Sequence, residues 1–140
     1  MAAKQTLEHL KNVSLFAGCS KKDLEKIARS GDEIRTPAGT VLVDQGQTGR
    51  EAFVILEGSA TVKRNGKKVA TLGAGNVVGE LALLDHGPRT ASVMCDTDCQ
   101  LLVISQRHFT AVLDEVPTLA HKLLANLAGM VREADRQYYG

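Results

Sequence analysis

The sequence lacks a surplus of charge of either sign: 17 Lys and Arg are set against 16 Asp and Glu, a formal net charge of +1 over 140 residues. No broad electrostatic pull toward nucleic acid or an anionic membrane follows, so any bound anion must be held locally. Cysteine is scarce and odd in number. Cys95 and Cys99 are separated by three residues and no second pair follows, which does not match a zinc site. With Cys19, they are read as buried or half-buried thiols of a reducing cytosol. No N-terminal stretch is apolar enough for a signal peptide and no run approaches a membrane span, so a cytoplasmic protein without a membrane span is expected. Asn12-Val13-Ser14 has the form of a glycosylation site but no weight without a secretory signal. Enzyme signatures are missing too: there is no nucleophile elbow, no P-loop and no His-Glu-x-x-His. His9, His86, His108 and His121 are scattered over predicted helices and one loop, so no metal site and no catalytic residue is assigned.

What is present is an ordinary globular composition, 44% hydrophobic and 24% charged, on a length that fits a single domain over residues 1–140. Residues 4–30 read as helical. In "SKKDLEKIARSG", Ser20 is placed to cap, Asp23 and Glu25 fall in or near the first turn, and Leu24, Ile27 and Ala28 share a face before Gly31 ends the helix. Residues 33–104 read as strands, with β-branched runs at 40–43, 52–56, 60–64, 68–72, 91–95 and 100–104 separated by Gly, Asp or Asn clusters. Asn65-Gly66 predicts a two-residue hairpin, because both turn positions tolerate positive φ. Many short strands at near-regular spacing imply a barrel or roll rather than alternating βαβ units. Residues 106–138 return to helix in two pieces divided at Pro117. Leu124, Leu127, Val131, Ala134 and Tyr138 form one apolar stripe, too short for a coiled coil but suited to docking on the domain or on a second chain.

The stretch "GELALLDHGPRTASV", Gly79 to Val93, stands apart. It lies inside the β region, yet "GELALL" has helix formers and no β-branched residue, so a short helix is expected to interrupt the roll. The first N–H groups of that helix, around Gly79, Glu80, Leu81 and Ala82, have no partner within it and favour an anion. Gly75 and Gly79 leave room for a phosphate to approach the backbone. Arg89, ten residues after Gly79, offers a planar fork for that phosphate, and Thr90 adds a hydroxyl. Glu80 repels phosphate, and is explained if the ligand also carries a hydroxyl donor: a sugar phosphate. On residue types alone, a Glu80–Arg89 ion pair stapling a surface loop explains the two charges equally well.

The same stretch resembles the phosphate-binding cassette of the cyclic nucleotide-binding domains, in spacing and in nearly every residue type. "FAGCSKKDLEKIA" is similar to the family's opening helices, and "TPAGTVLVDQGQTGREAFVILEGSATV" to its first strands with turns at Gly39, Gly46, Gly49 and Gly58; the likeness covers about residues 7–138. It implies an α+β fold: N-terminal helices, an eight-stranded antiparallel, jelly-roll-like β-roll (a double-stranded β-helix) interrupted by the cassette helix, and two C-terminal helices. It also implies roles. Glu80 accepts the ribose 2′-hydroxyl, Arg89 pairs with the cyclic phosphate, backbone N–H groups near Leu81 and Ala82 hold phosphate oxygens, and Thr90 assists. Val78 stands where the family usually has Phe, which should shrink the apolar wall. The last helix should cap the base, with Arg132 over adenine or Asp135 toward guanine; both also fit a solvated helix face. The expected ligand is cAMP, with cGMP the alternative, and no cofactor is expected.

The resulting expectation is a non-enzymatic sensor that moves its C-terminal helix on binding. Its partners would be the nucleotide and an effector protein or fused effector domain, with a homodimer through the C-terminal helix as a candidate assembly. A cupin enzyme would need several His and a carboxylate converging on one metal. A transcription regulator of the catabolite activator type would need a helix-turn-helix after the last helix, and nucleic-acid binding is therefore not expected of these residues. Met1 close before the first helix fits a free-standing small protein, and a domain or fragment of a longer channel, kinase or regulator fits as well. The remaining alternative is an interaction domain of the same fold that binds no nucleotide, against which the intact Gly79, Glu80 and Arg89 argue.

Overall fold

The computed structural model describes residues 2–139 except His86, and places the side chains of 4–84 and 87–137. The expectation for the His86 loop, and that for the Tyr138 end of the apolar stripe, lie outside the described side chains. The chain opens with α1 (Ala2–Lys11), a 3-10 turn (Ser14–Phe16) and α2 (Lys21–Arg29). The start of α2 is fixed as the sequence implies. Asp23 N–H donates to Ser20 Oγ at 3.1 Å, and Ser20 N–H donates to Asp23 Oδ2 at 3.2 Å. This reciprocal box satisfies two orphan donors of the first turn.

Eight strands follow: β1 (Asp32–Thr36), β2 (Val41–Val43), β3 (Glu51–Glu57), β4 (Ser59–Arg64), β5 (Lys67–Gly73), β6 (Val77–Val78), β7 (Ser92–Cys95) and β8 (Cys99–Ser105). The six strands read from β-branched runs are all present, within one residue at either end. Two were not legible as runs. β1, "DEIRT", is charged and largely exposed along its length, and β6 has two residues, too few for a period. All pairings are antiparallel, in two four-stranded sheets with orders β1-β8-β3-β6 and β2-β7-β4-β5. The β4–β5 hairpin turns at Asn65 (φ 55°) and Gly66 (φ 78°), the left-handed pair its sequence calls for.

The burial pattern of β3 explains the layering. Its five central residues are all buried, so both faces are covered. Ala52, Val54 and Leu56 pack under a helical layer with Leu10, Phe16, Ile27 and Val116. Phe53 and Ile55 point the other way, into the space between the sheets, against Val43, Val93 and Leu101. Cys95 and Cys99 lie in this inner layer and Cys19 is half-buried, all three free thiols, as the sequence reading had them. Burial and the neighbouring Cys99 push the Cys95 thiol well up, which keeps it unreactive.

α3 (Glu80–Asp85) interrupts the roll between β6 and β7, and α4 (Gln106–Glu115) and α5 (Pro117–Tyr139) close the chain. Of the two dockings open to the α5 stripe, on the domain or on a second chain, the first is not the one the structure shows. The stripe along α5 is not its docking face. α5 docks through its first turns, by buried Leu119 and Leu123, against the 3-10 turn and α4. Each such buried Leu is worth about 1.5–3 kcal/mol. Leu124 and Val131 of the stripe remain more than 60% exposed, Ala134 is exposed and Leu127 is half-buried. The period of 3.6 was legible, but which arc of the helix meets the body is set by the partner surface. No helix among the described residues is long and apolar enough to cross a membrane.

Candidate functional site

The inner face of the β2-β7-β4-β5 sheet and the α3 segment enclose a cavity of about 170 Å³. Its walls are apolar, from Val43, Val62, Leu72, Val78 and Val93 among others, and its charged lining residues are Glu80, Arg89 and Arg64. Gly79, Leu81, Ala82 and Thr90 also line it, so all six residues assigned to the cassette from the sequence converge on one space. Val78 is 3% exposed and forms part of the wall.

Arg89 is placed by two neighbouring segments. The β2–β3 loop holds its backbone on both sides: Arg89 N–H donates to Gln47 O at 2.7 Å and Gly46 N–H donates to Arg89 O at 2.9 Å. Arg89 is 8% exposed, and its two terminal nitrogens donate to Gly79 O at 2.8 Å and Glu51 O at 2.6 Å. Burial lowers its pKa, opposed by the negative charges of Glu51 and Glu80. The loop staple weighed from the sequence is not what forms: the ion pairs among the described residues do not include Glu80 with Arg89. Arg89 is instead clamped to backbone carbonyls. Among the described residues these bonds use two of its five N–H donors.

Glu80 Oε2 is buried with no hydrogen-bond partner among the described residues. Burial raises the carboxyl pKa above its ordinary value, opposed by a hydrogen bond from its own backbone N–H and by the charge of Arg89. An acceptor left unsatisfied in a cavity wall carries the cost of its desolvation and is relieved by any donor that enters.

The glycines are partly as expected. Gly79 has φ +84°, and a Cβ there would land on Arg89 Nη1. Gly75 (φ +94°) does not serve the site. It faces Asn12 O, 2.9 Å from where its Cβ would stand, so its assigned place near a phosphate is corrected to a packing role. Gly49 is the glycine the sequence reading left without a role: a Cβ there would come within 2.5 Å of Ala82 Cβ and 3.0 Å of Arg89 Cζ. Its turn signal was visible, but its contact with Arg89 is a tertiary one. Replacing Gly79 by Ala is expected to lower both stability and ligand affinity. The left-handed backbone costs an L-residue about 1–2 kcal/mol, and the new methyl displaces the guanidinium from its carbonyls. Thermal melts and ligand titration of Gly79→Ala check this; unchanged affinity would show that the Arg89 clamp is irrelevant to binding.

Arg132 and Asp135 are not brought to the cavity. Both are exposed on the outer half of α5 and line neither of the two cavities beside α3. The second of these cavities, about 200 Å³, lies between Leu123, Leu127 and Met130 of α5 and the back of α3. Val77, Glu80 and Leu81 border both, so the ligand space and the base of α5 share one wall. Arg64, which sequence reading did not single out, sits on the cavity because β4 alternates: Ala60, Val62 and Arg64 share one face. Among the described residues no group of His, Cys, Asp and Glu is arranged to hold a metal ion.

An antiparallel β-roll lines a largely apolar cavity, interrupts itself with the short helix α3, and sets a buried carboxylate oxygen at the start of that helix and a buried arginine in the segment that follows it. The chain belongs to the cyclic nucleotide-binding domain family, whose model matches residues 33–116. It is 30% identical to the cyclic AMP receptor protein of Thermus thermophilus over 131 residues, covering 90% of this chain and 61% of the relative. It is 34% identical over 110 residues to the Pycsar effector protein XpPycTIR of Xanthomonas perforans, covering 78% of this chain and 36% of that one. Among solved structures, the Thermus thermophilus catabolite activator protein superposes with a TM-score of 0.81 at 30% identity, over 89% of this chain and 61% of its own. The chain thus spans between about a third and three-fifths of the length of these relatives.

Proposed function

We propose that the chain is a regulatory domain that binds a 3′,5′-cyclic purine nucleotide, cAMP or cGMP, in the cavity between the β-roll and α3. The observation that carries this reading is the buried, unpartnered Glu80 Oε2 on the same cavity as the clamped Arg89. A ligand that suits both must present a hydroxyl donor and an anion a few ångströms apart on a compact apolar body. A ribose 2′-hydroxyl beside a cyclic phosphate does so. Glu80 takes the hydroxyl, Arg89 takes the phosphate with its spare donors, and N–H groups near Leu81 and Ala82 with the Thr90 hydroxyl complete the set. Every one of these contacts is a holding contact; none activates water or a leaving group, so the role is sensing rather than catalysis. The names of the relatives, a cyclic AMP receptor and an effector, support a link to an effector, carried in cis or by a separate protein.

The output is a movement of α5. The wall at Glu80 and Leu81, which borders both the first cavity and the one beneath α5, supports this reading. Met130 and Val131 of its outer half are exposed, as is Leu124 nearer its start. Closing that half over the ligand buries this surface and brings Arg132 and Asp135 toward the base; only a difference in affinity between the two arrangements can drive the shift. Calorimetry with cAMP and cGMP tests the binding, and hydrogen exchange over residues 118–137 with and without nucleotide tests the movement. Binding at one site per chain with slower exchange along α5 is expected. No heat and no competition with either nucleotide would overturn the binding, and identical exchange would overturn the movement alone. The same α5 face also fits a second copy of the chain, and the mass in solution with and without nucleotide separates pairing from capping.

A further inference from the structure

The third charged residue of the cavity is not among those assigned to sugar or phosphate. Arg64 ends β4, on the face that carries Val62, and its Nε donates to Thr90 O at 3.2 Å. Neither of its terminal nitrogens has a hydrogen-bond or ion-pair partner among the described residues. Its backbone is held in place by the next residue. Asn65 and Gln45 exchange two hydrogen bonds of 2.9 Å, Gln45 N–H donates to Ser92 Oγ at 2.9 Å, and Ser92 Oγ donates to Asp44 Oδ1 at 2.8 Å. The hairpin tip, the β2–β3 loop and the start of β7 are thereby tied together around the guanidinium. Held by its Nε, Arg64 presents a pair of free N–H₂ groups on a cavity whose opposite charges are already assigned.

We infer that Arg64 is a specificity-determining residue that reads the edge of the purine and favours guanine over adenine. The inference rests on the cyclic-nucleotide reading above. On that reading Glu80 and Arg89 are engaged by the ribose and phosphate, which leaves the base the apolar walls of Val62 and Leu72; Arg64, at the end of β4, lines the same cavity. An arginine donates and never accepts. Guanine offers two adjacent acceptors, O6 and N7, to such a fork; adenine offers N7 beside an N6–H₂ donor, which opposes it. The free nitrogens therefore match cGMP on two points and cAMP on one. This runs against the expectation of cAMP as the ligand.

The test is titration of cAMP, cGMP and cIMP into wild type, Arg64→Ala and Arg64→Lys, with thermal midpoints recorded for each. Cyclic IMP carries O6 and N7 without the 2-amino group, so it separates Arg64 from any reading of that amino group by Thr90 or Asp135. Arg64→Ala is expected to weaken cGMP and cIMP by about 5- to 150-fold and cAMP by much less, as for loss of one bidentate base contact. Arg64→Lys should also lose the preference while keeping the charge, because an ammonium cannot make the fork. An equal loss for all three nucleotides would mean that Arg64 acts on the phosphate or the hairpin, and would overturn the inference, as would unchanged ratios in a well-folded variant. Wild type binding none of the three would overturn the cyclic-nucleotide reading itself, and this inference with it.

Discussion

Arg89→Ala should bind cyclic nucleotide about 30- to several-thousand-fold more weakly than wild type, the ~2–5 kcal/mol lost when one member of a buried, hydrogen-bonded charge pair is truncated. Arg89 is 8% exposed, and the anion it would meet is desolvated among Gly79, Leu81 and Ala82. The competing stabilisation, helix-end N–H groups, supplies at most about 2 kcal/mol in a partly buried setting. Residue types alone would suggest a variant that folds as well as the parent, because a surface Glu–Arg staple is worth about 1 kcal/mol or less. The geometry changes that expectation. Truncation removes a donor from the carbonyls of Gly79 and Glu51, which Arg89 bonds at 2.8 and 2.6 Å in a partly buried setting, and each lost bond is worth about 0.5–1.5 kcal/mol. The thermal midpoint should therefore fall by several degrees, as about 1–3 kcal/mol implies for a domain of this size. Arg89→Lys should restore part of the stability, by reaching one carbonyl, and part of the affinity, as a point charge without the fork. Nucleotide titration and thermal melts of both variants check this. Full affinity in a folded Arg89→Ala protein would remove the cavity as the binding site.

Much of this arrangement could be read before any coordinates. The cap of α2, the Asn65-Gly66 hairpin and the six longer strands follow from local rules, because each depends on residues close together in the chain. So does the short helix after Gly79, set by helix formers among β-branched neighbours. What stayed illegible is what depends on a partner surface. β1 has no apolar period because it is an edge strand whose residues from Asp32 to Arg35 are exposed on both faces. The docking face of α5 is chosen by the 3-10 turn and α4, not by its own longest stripe. Gly49, Glu51 O and Arg64 reach the site from two other strands or loops, and no spacing within the cassette reveals them. Glu80 and Arg89 were visible as a pair, but their relation was not: they share a cavity without bonding to each other, which is what leaves both open to a ligand.

That separation gives Glu80 an effect of opposite sign in the empty and filled states. Among the described residues its buried Oε2 has no donor, and burial raises its pKa, so without ligand the fold prefers the neutral carboxyl. A carboxyl whose folded pKa is raised contributes stability that is fully present below its unfolded pKa and lost as pH rises through the folded pKa. Glu80→Gln removes the ionised form altogether. The empty variant should therefore melt at or above the wild-type midpoint at neutral pH, and the difference should shrink as the pH is lowered through the folded pKa of Glu80. Binding should move the other way. A hydrogen bond to a charged acceptor is worth about 1.5–3 kcal/mol, so Glu80→Ala should weaken cyclic nucleotide by about 10- to 150-fold. Glu80→Gln should weaken it less, because the amide oxygen still accepts without the charge. The 2′-deoxy nucleotide isolates the contact: it should bind wild type about as weakly as the parent nucleotide binds Glu80→Ala, and lose little more in that variant. Midpoints across pH and a two-by-two titration, wild type and Glu80→Ala against ribo and 2′-deoxy ligand, measure both. Additive losses in that cycle would show that Glu80 does not meet the hydroxyl. A Glu80→Gln protein less stable than wild type at neutral pH would show that the carboxylate is already satisfied in the empty site.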